Sequence, residues 1–281
     1  MTDPLVTTDW LAGRLEDPGL VILDGSWHMP VDGRDAKAEY AAAHIPGAVF
    51  FDIDAIADHA TDLPHMLPSP QDFATAVRRL GVESDSTVVV YDTVGVFSAP
   101  RVWWEFRAMG YDQIFVLDGG FKKWLAEGRP VEAGWREPEH GEFKAHPRSA
   151  LVEDLLGVRQ ALISQGAQLV DARSAARFRG DAPEPRPGLR EGHMPGARNV
   201  PWGEIVTPGG TMADPAALKT AFESAGVDLA GPIVTTCGSG ITASILALGL
   251  ARLGRDDVGV YDGSWSEWGA RADTPVATGP A

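Results

Sequence analysis

The stretch Ile233-Val-Thr-Thr-Cys237-Gly-Ser-Gly240-Ile-Thr-Ala243 decides how the rest of the chain is read. Four β-favouring residues run into a cysteine, and three small residues follow. The run from Thr242 to Leu253 then has helical composition. The pattern is strand, tight loop, helix, with a thiol at the end of the strand. A loop entering a helix aims several unpaired backbone N–H groups at one point, and the helix dipole adds partial positive charge there. Such a place favours the thiolate, the reactive form of cysteine. Small residues at 238, 239 and 240 let the backbone wrap closely round the sulfur. A cysteine at a strand end is otherwise a small hydrophobe; the loop is what turns Cys237 into a candidate nucleophile. Cys237 is the only cysteine in 281 residues, so the chain holds no second thiol with which to resolve an intermediate.

Working outward, the same order of features occurs twice. Val21-Ile-Leu-Asp24 precedes His44-Ile-Pro-Gly-Ala48, and Leu169-Val-Asp171 precedes His193-Met-Pro-Gly-Ala197. Val88-Val-Val-Tyr-Asp92 aligns with Ile233-Val-Thr-Thr-Cys237. Leu117-Asp-Gly-Gly-Phe-Lys-Lys-Trp124 aligns with Tyr261-Asp-Gly-Ser-Trp-Ser-Glu-Trp268. The repeated unit is roughly 130 residues, too large for a solenoid repeat and the size of a domain. In the first unit, helices are predicted over 9–16, 36–43, 71–80, 99–109 and 121–127, with strands over 20–24, 48–51, 87–92 and 113–118. In the second, helices are predicted over 152–164, 215–225, 241–253 and 266–271, with strands over 168–171, 197–200, 233–236 and 258–261. Val- and Ile-rich strands alternating with helices predict an α/β fold of two tandem domains, each a parallel sheet with helices on both faces. The domains are placed at 1–131 and 151–281. Residues 132–150 are polar, contain Pro138 and Pro147, show no periodicity and read as a linker. Sites in parallel sheets lie at the carboxyl ends of strands, where Cys237 stands.

Composition narrows the function. A length of 281 residues with 44% hydrophobic and 22% charged residues is globular, with material for two cores. The net charge of −15 argues against nucleic acid or an anionic membrane as partner. The start of the chain has no basic segment followed by an apolar core, and no apolar run is long enough to span a bilayer. With a single cysteine, these features lead to the expectation of a cytoplasmic protein. Seven scattered histidines and one cysteine give no metal-ligand spacing, so no metal is expected.

The repeat also supplies an internal control: what both halves share is structural, and what only one half has is a candidate for function. His44 and His193 recur in matching turns and read as turn residues. Trp124 and Trp268 recur and read as packing residues. Cys237 aligns with Asp92, so only the second half carries the nucleophile, and the bulkier loop Thr93-Val-Gly-Val-Phe-Ser98 looks like a degenerate copy. Arg177, Arg179 and Arg186 form a cationic cluster with no first-half counterpart. They read either as surface charge paired with Asp181 and Glu184 or as a carboxylate-binding fork. The first half has its own unmatched polar segment, Asp52-Ile-Asp54 and Asp62-Leu-Pro-His65-Met-Leu-Pro68.

These motifs resemble the tandem-domain rhodanese family, most closely its 3-mercaptopyruvate sulfurtransferase branch. Cys237-Gly-Ser-Gly-Ile-Thr242 is similar to the Cys-Gly-Ser-Gly-Val-Thr loop of that branch, whereas the thiosulfate branch has Cys-Arg-Lys-Gly-Val-Thr. Ser98-Ala-Pro-Arg-Val-Trp-Trp104, Phe178-Arg-Gly180, Glu184-Pro-Arg186 and Tyr261-Asp-Gly-Ser-Trp265 match as well. The resemblance implies that Cys237 takes the sulfur of 3-mercaptopyruvate, releases pyruvate and holds a persulfide. No cofactor is implied beyond that covalent intermediate. It implies that Arg177 and Arg186 hold the substrate, that N–H groups from Gly238, Gly240, Ile241 and Thr242 hold the anion, and that Ser239, Asp54 and His65 stand near the sulfur as a proton relay. The absence of a second cysteine requires an external acceptor, for which thioredoxin, a small thiol or cyanide fit the family. Gly238 and Ser239 replace two cationic donors of the thiosulfate branch, each worth about 1.5–3 kcal/mol, so mercaptopyruvate is expected well ahead of thiosulfate.

Other readings are weaker. A thiosulfate-using rhodanese would resemble Cys-Arg-Lys-Gly-Val-Thr at the loop instead. A non-catalytic rhodanese-type module would bind partners or sense oxidants through Cys237. A cysteine phosphatase needs arginine six residues after the cysteine, where this chain has Ala243. Gly238-Ser-Gly240-Ile-Thr-Ala243 fits a dinucleotide fingerprint, but only one predicted strand follows it.

Overall fold

The structure, a computed structural model, describes residues 3–281. The first half forms strands β1 (Leu5–Val6), β2 (Leu20–Asp24), β3 (Val49–Phe50), β4 (Thr87–Tyr91) and β5 (Ile114–Leu117). The second forms β6 (Val152–Glu153), β7 (Gln168–Asp171), β8 (Arg198–Asn199), β9 (Ile233–Thr236) and β10 (Gly259–Tyr261). The sheets have orders β1-β5-β4-β2-β3 and β6-β10-β9-β7-β8, the same topology twice, and every strand pair is parallel. Both faces of each sheet are buried because alternate strand residues feed opposite cores. In β4, Val88 and Val90 join one cluster while Val89 and Tyr91 join another. In β7, Val170 and Leu169 divide in the same way.

The inner faces of the two sheets share one core, and the halves are therefore not independent bodies. That core takes Trp103, Trp104 and Phe106 from the first half and Ile245, Leu246 and Leu248 from the second. Its centre is a helix pair, Ala99–Ala108 against Ile241–Arg252. The helix Ile241–Arg252 is apolar all round and almost wholly buried, because its own sheet covers one side and the partner half the other.

Several elements differ from the periodicity reading. Residues 152–153 are an edge strand rather than a helix start, since Val152 pairs with Val260 in parallel register; the helix begins at Leu155, capped by Asp154. The strand Leu5–Val6 and the short helices Ala175–Arg179 and Trp202–Ile205 carry too few residues to show a period. The segment 132–150 has almost no regular structure, yet it is strapped to the first half. Phe143 is buried against Phe73, Phe106 and Tyr111, and Arg78 donates twice to the Phe143 carbonyl. The repeated histidines hold turns together: His44 stacks on Tyr40 and His193 on Phe178, each with Nδ1 2.8 Å from the carbonyl of its stacking partner.

Candidate active site

β4 and β9 end at equivalent points, and the first half shows what the following loop binds. Asp92 stands where the second half has Cys237. Its carboxylate accepts five backbone N–H bonds: Val94 and Gly95 on Oδ1 at 2.9 and 2.8 Å, and Phe97, Ser98 and Ala99 on Oδ2 at 2.8–2.9 Å. Burial pushes the Asp92 carboxyl above the usual range despite these bonds. The loop is thus an anion cradle with a permanent occupant. In the second half, the Gly240 N–H donates to Cys237 Sγ at 3.2 Å, in the register of Gly95 to Asp92. The helix Ile241–Arg252 starts with no side-chain cap, so the Ile241 and Thr242 N–H groups remain for an incoming anion. Cys237 itself is only 2% exposed. Gly238 lies beside Arg177, since a Cβ there would sit 3.0 Å from Arg177 Nη2.

A cleft of about 240 Å³ between the halves brings Trp27, Asp54 and His65 together with Pro185 and Arg186. His65 Nδ1 lies 2.7 Å from Asp54 Oδ1, within ion-pair distance but off the line of a hydrogen bond. Arg186 Nη2 faces His65 Nε2 at 3.4 Å. A guanidinium can only donate, so this contact requires a bare Nε2 and places the ring proton on the Asp54 side. Burial holds His65 below its ordinary value, against the opposing effect of Asp54 and with help from Arg101 and Arg186. Burial tends to raise Asp54, but His65 and the Trp27 indole, which donates to Oδ2 at 2.9 Å, prevail and hold it low. The site therefore contains a neutral imidazole beside a carboxylate.

The arginines separate. Arg179 pairs with Asp181 at the surface and takes no part. Arg177 is held by Glu184, at 2.5 and 3.2 Å, and Glu184 is held in turn by the buried Arg173. Arg186 has no carboxylate within ion-pair distance among the described residues, and burial holds it below its ordinary value. A larger hollow of about 590 Å³ adjoins the cleft, but it is lined by first-half residues only. Its cations are already engaged, Arg34 with Glu39 and Lys37 with Asp52. Among the described residues no group of three or more His, Cys, Asp or Glu is placed to hold a metal ion, and no helix is long and apolar enough to cross a membrane.

The rhodanese-like domain profile matches residues 7–127 and again 157–271. This chain belongs to the rhodanese family. It is 46% identical over 272 residues to the 3-mercaptopyruvate sulfurtransferase of Escherichia coli K12, covering 96% of each chain. It is also 44% identical over 275 residues to the thiosulfate sulfurtransferase of Bos taurus, covering 95% of this chain and 92% of that one. The crystal structure of SseA from Escherichia coli, presented as a 3-mercaptopyruvate sulfotransferase, superposes with a TM-score of 0.86 at 43% identity, over 94% of this chain and 99% of that one.

Within this rhodanese, Asp54, His65 and Arg186 meet, and Arg177 borders the Cys237 loop. Ser239 is buried in the Cys237 loop, and its hydroxyl makes no hydrogen bond to His65 or Asp54 in this structure. Sequence reading gave no role to Trp27, Arg101 or Ser264. Ser264 Oγ accepts the Cys237 N–H at 3.2 Å and donates to the Tyr261 carbonyl at 2.8 Å. The signal lay in the repeat. Three described non-glycine residues have a left-handed backbone: Gln165, His65 (φ 60°) and Ser264 (φ 48°). Gln165 merely caps a helix. The other two stand where the opposite half has Gly210 (φ 86°) and Gly120 (φ 53°). A side chain kept at a glycine position costs about 1–2 kcal/mol and marks the site.

Proposed function

We propose that this rhodanese is a 3-mercaptopyruvate sulfurtransferase. The Cys237 thiolate attacks the substrate sulfur, a sulfur–sulfur bond forms, and the carbon–sulfur pair leaves with the carbon as the enolate of pyruvate. That enolate takes up a proton and departs. The outer sulfur stays on Cys237 as a persulfide, stabilised by the N–H groups of Gly240, Ile241 and Thr242. An external thiolate then attacks the outer sulfur and restores the Cys237 thiolate. Arg186 binds the carboxylate or the developing enolate oxygen, Arg177 adds charge beside Gly238, and His65 with Asp54 moves the proton. No cofactor takes part.

The observation that carries this reading is the state of Arg186: a half-buried guanidinium without a carboxylate partner among the described residues, facing His65 in the cleft. It matches a substrate with one carboxylate. Gly238 and Ser239 bring no cation to the sulfur, which disfavours the compact thiosulfate dianion. The sulfur acceptor is an external thiol, such as thioredoxin or a small thiol, or cyanide.

The test is pyruvate release from 3-mercaptopyruvate with a thiol acceptor, wild type beside Cys237→Ser, with thiosulfate and cyanide in parallel. Turnover of mercaptopyruvate that falls at least a thousandfold in Cys237→Ser, with thiosulfate turnover far slower, is the expected result. Equal turnover of both donors assigns the chain to the thiosulfate branch and overturns the account of Gly238 and Ser239. No turnover of either leaves a module that binds partners or senses oxidants.

A further inference from the structure

The two halves clasp each other by reciprocal contacts, and the exception to their symmetry lies at the active site. Asp118, after β5, accepts the Met212 N–H at 2.8 Å through Oδ1. Asp262, after β10, accepts the Leu67 N–H at 2.7 Å through Oδ2. Asp118 and Asp262 are repeat equivalents, and so are Met212 and Leu67, each three residues before the proline that opens a helix. Such exchange of i–j for j–i contacts is the signature of a two-fold interface. His65 and Gly210, each two residues before the clasped N–H, are equivalents as well.

On the non-catalytic side the backbones touch. A Cβ on Gly95 of the Asp92 loop would fall 2.5 Å from both Cα and O of Gly210. On the catalytic side a side chain is inserted. Arg101, fully buried in the helix Ala99–Ala108, packs against Gly240, whose Cβ would fall 2.6 Å from Arg101 Nη1. Arg101 Nη1 donates to Asp262 Oδ1 at 2.6 Å, Nε donates to Glu105 Oε1 at 2.8 Å, and Nη2 donates to the His65 carbonyl. The opposite half has no arginine here; by position from the start of the helix, the counterpart of Arg101 is Ala243.

We infer that Arg101 and Asp262 are positioning residues that hold His65 in its left-handed backbone conformation against Arg186 and the Cys237 loop. His65 is gripped from both sides, at its own carbonyl by Arg101 and at the N–H two residues on by Asp262. Asp262 belongs to the half that carries Cys237, so the grip sets the distance between the imidazole and the sulfur. This inference rests on the sulfurtransferase reading above for its substrate but not for its geometry.

The experiment compares Asp262→Ala with Asp118→Ala, which removes the equivalent bond on the side without chemistry. The rate of the first pyruvate release in a single turnover, the KM for 3-mercaptopyruvate and the melting temperature are measured for each. Both variants are expected to melt lower than wild type. Only Asp262→Ala is expected to lose rate, at least tenfold, with KM within threefold because Arg177 and Arg186 are untouched; Asp118→Ala stays within twofold of wild type. Should Asp262→Ala fail to fold, Asp262→Asn and Arg101→Lys serve, each keeping part of the grip and each expected to lose at least threefold in rate at unchanged KM. Equal rate losses on the two sides, or a rise in KM without a fall in rate, would overturn the inference and reduce the clasp to docking. A wild type inactive on mercaptopyruvate but active on thiosulfate refutes the substrate reading alone, and the same comparison is then made with thiosulfate.

Discussion

Cys237 and Asp92 are one position with two side chains, and the comparison explains the chemistry better than either residue alone. The carboxylate of Asp92 already takes five N–H bonds, whereas the sulfur of Cys237 takes one, from Gly240. The unused donors of the second cradle are what a persulfide or departing anion would gain. Arg186→Gln removes the free cation. Its kcat/KM for mercaptopyruvate is expected to fall about ten- to a hundredfold, the equivalent of about 1.5–3 kcal/mol for a lost charged hydrogen bond, and steady-state pyruvate assays check it. His65 titrates below its ordinary value of 6.5 because it is buried. Its neutral form is the one that accepts from Arg186, so kcat/KM is expected to hold through neutral pH and to fall only on the acid side of 6.5. The same shift acts on stability: the unfolded chain binds the His65 proton first, so lowering the pH through and below 6.5 destabilises the fold. Asp54 is shifted down, and its stabilising contribution, present above 3.8, is lost as the pH falls further. A pH series of initial rates and melting temperatures reads both effects.

At the scale of elements, the strongly periodic or strongly apolar segments were legible and the short ones were not. β2, β7 and β9 fall on their predicted residues, since runs of Val, Ile and Leu bounded by turns permit little else. β1 and β6 are two-residue edge strands that exist because β5 and β10 offer them partners. The segment 132–150 has the composition of a linker, yet Phe143 inserts into an aromatic cluster of the first half. Phe143→Ala is expected to cost about 3–5 kcal/mol, as deletion of a buried aromatic ring does. Urea unfolding would register this as a lower midpoint. A loss below about 1 kcal/mol would mean that the strap is not part of the core.

For the whole molecule, the shared core makes the two halves one cooperative unit. The central helices are buried by each other, so either half alone would expose the apolar side of Ala99–Ala108 or Ile241–Arg252. Calorimetry is expected to show a single transition, with calorimetric and van't Hoff enthalpies that agree. Two resolved transitions would separate the halves. The cleft has the same dependence on the whole: His65, Asp54 and Trp27 come from one half and Pro185 and Arg186 from the other. The half without a nucleophile therefore builds one wall of the cleft.

The duplicated α/β fold and the nucleophile were legible in residue order alone. Both are written in local order: strand patterns repeat, and a lone cysteine ends a strand before a small-residue loop. The sequence also singled out Arg177, Arg186, Asp54 and His65 through motif resemblance and through their absence from the other half. Which of these meet depends on how the two halves dock. Glu184 pairs with Arg177 and Arg173, while Arg186 has no carboxylate within ion-pair distance among the described residues. Ser239 makes no hydrogen bond to the His65–Asp54 pair, which the Trp27 indole and Arg186 contact from either end. Arg101 matters because folding carries it across the interface to Asp262, 161 residues away. Pairings of that kind are set by the docking of two sheets, and no local pattern records them.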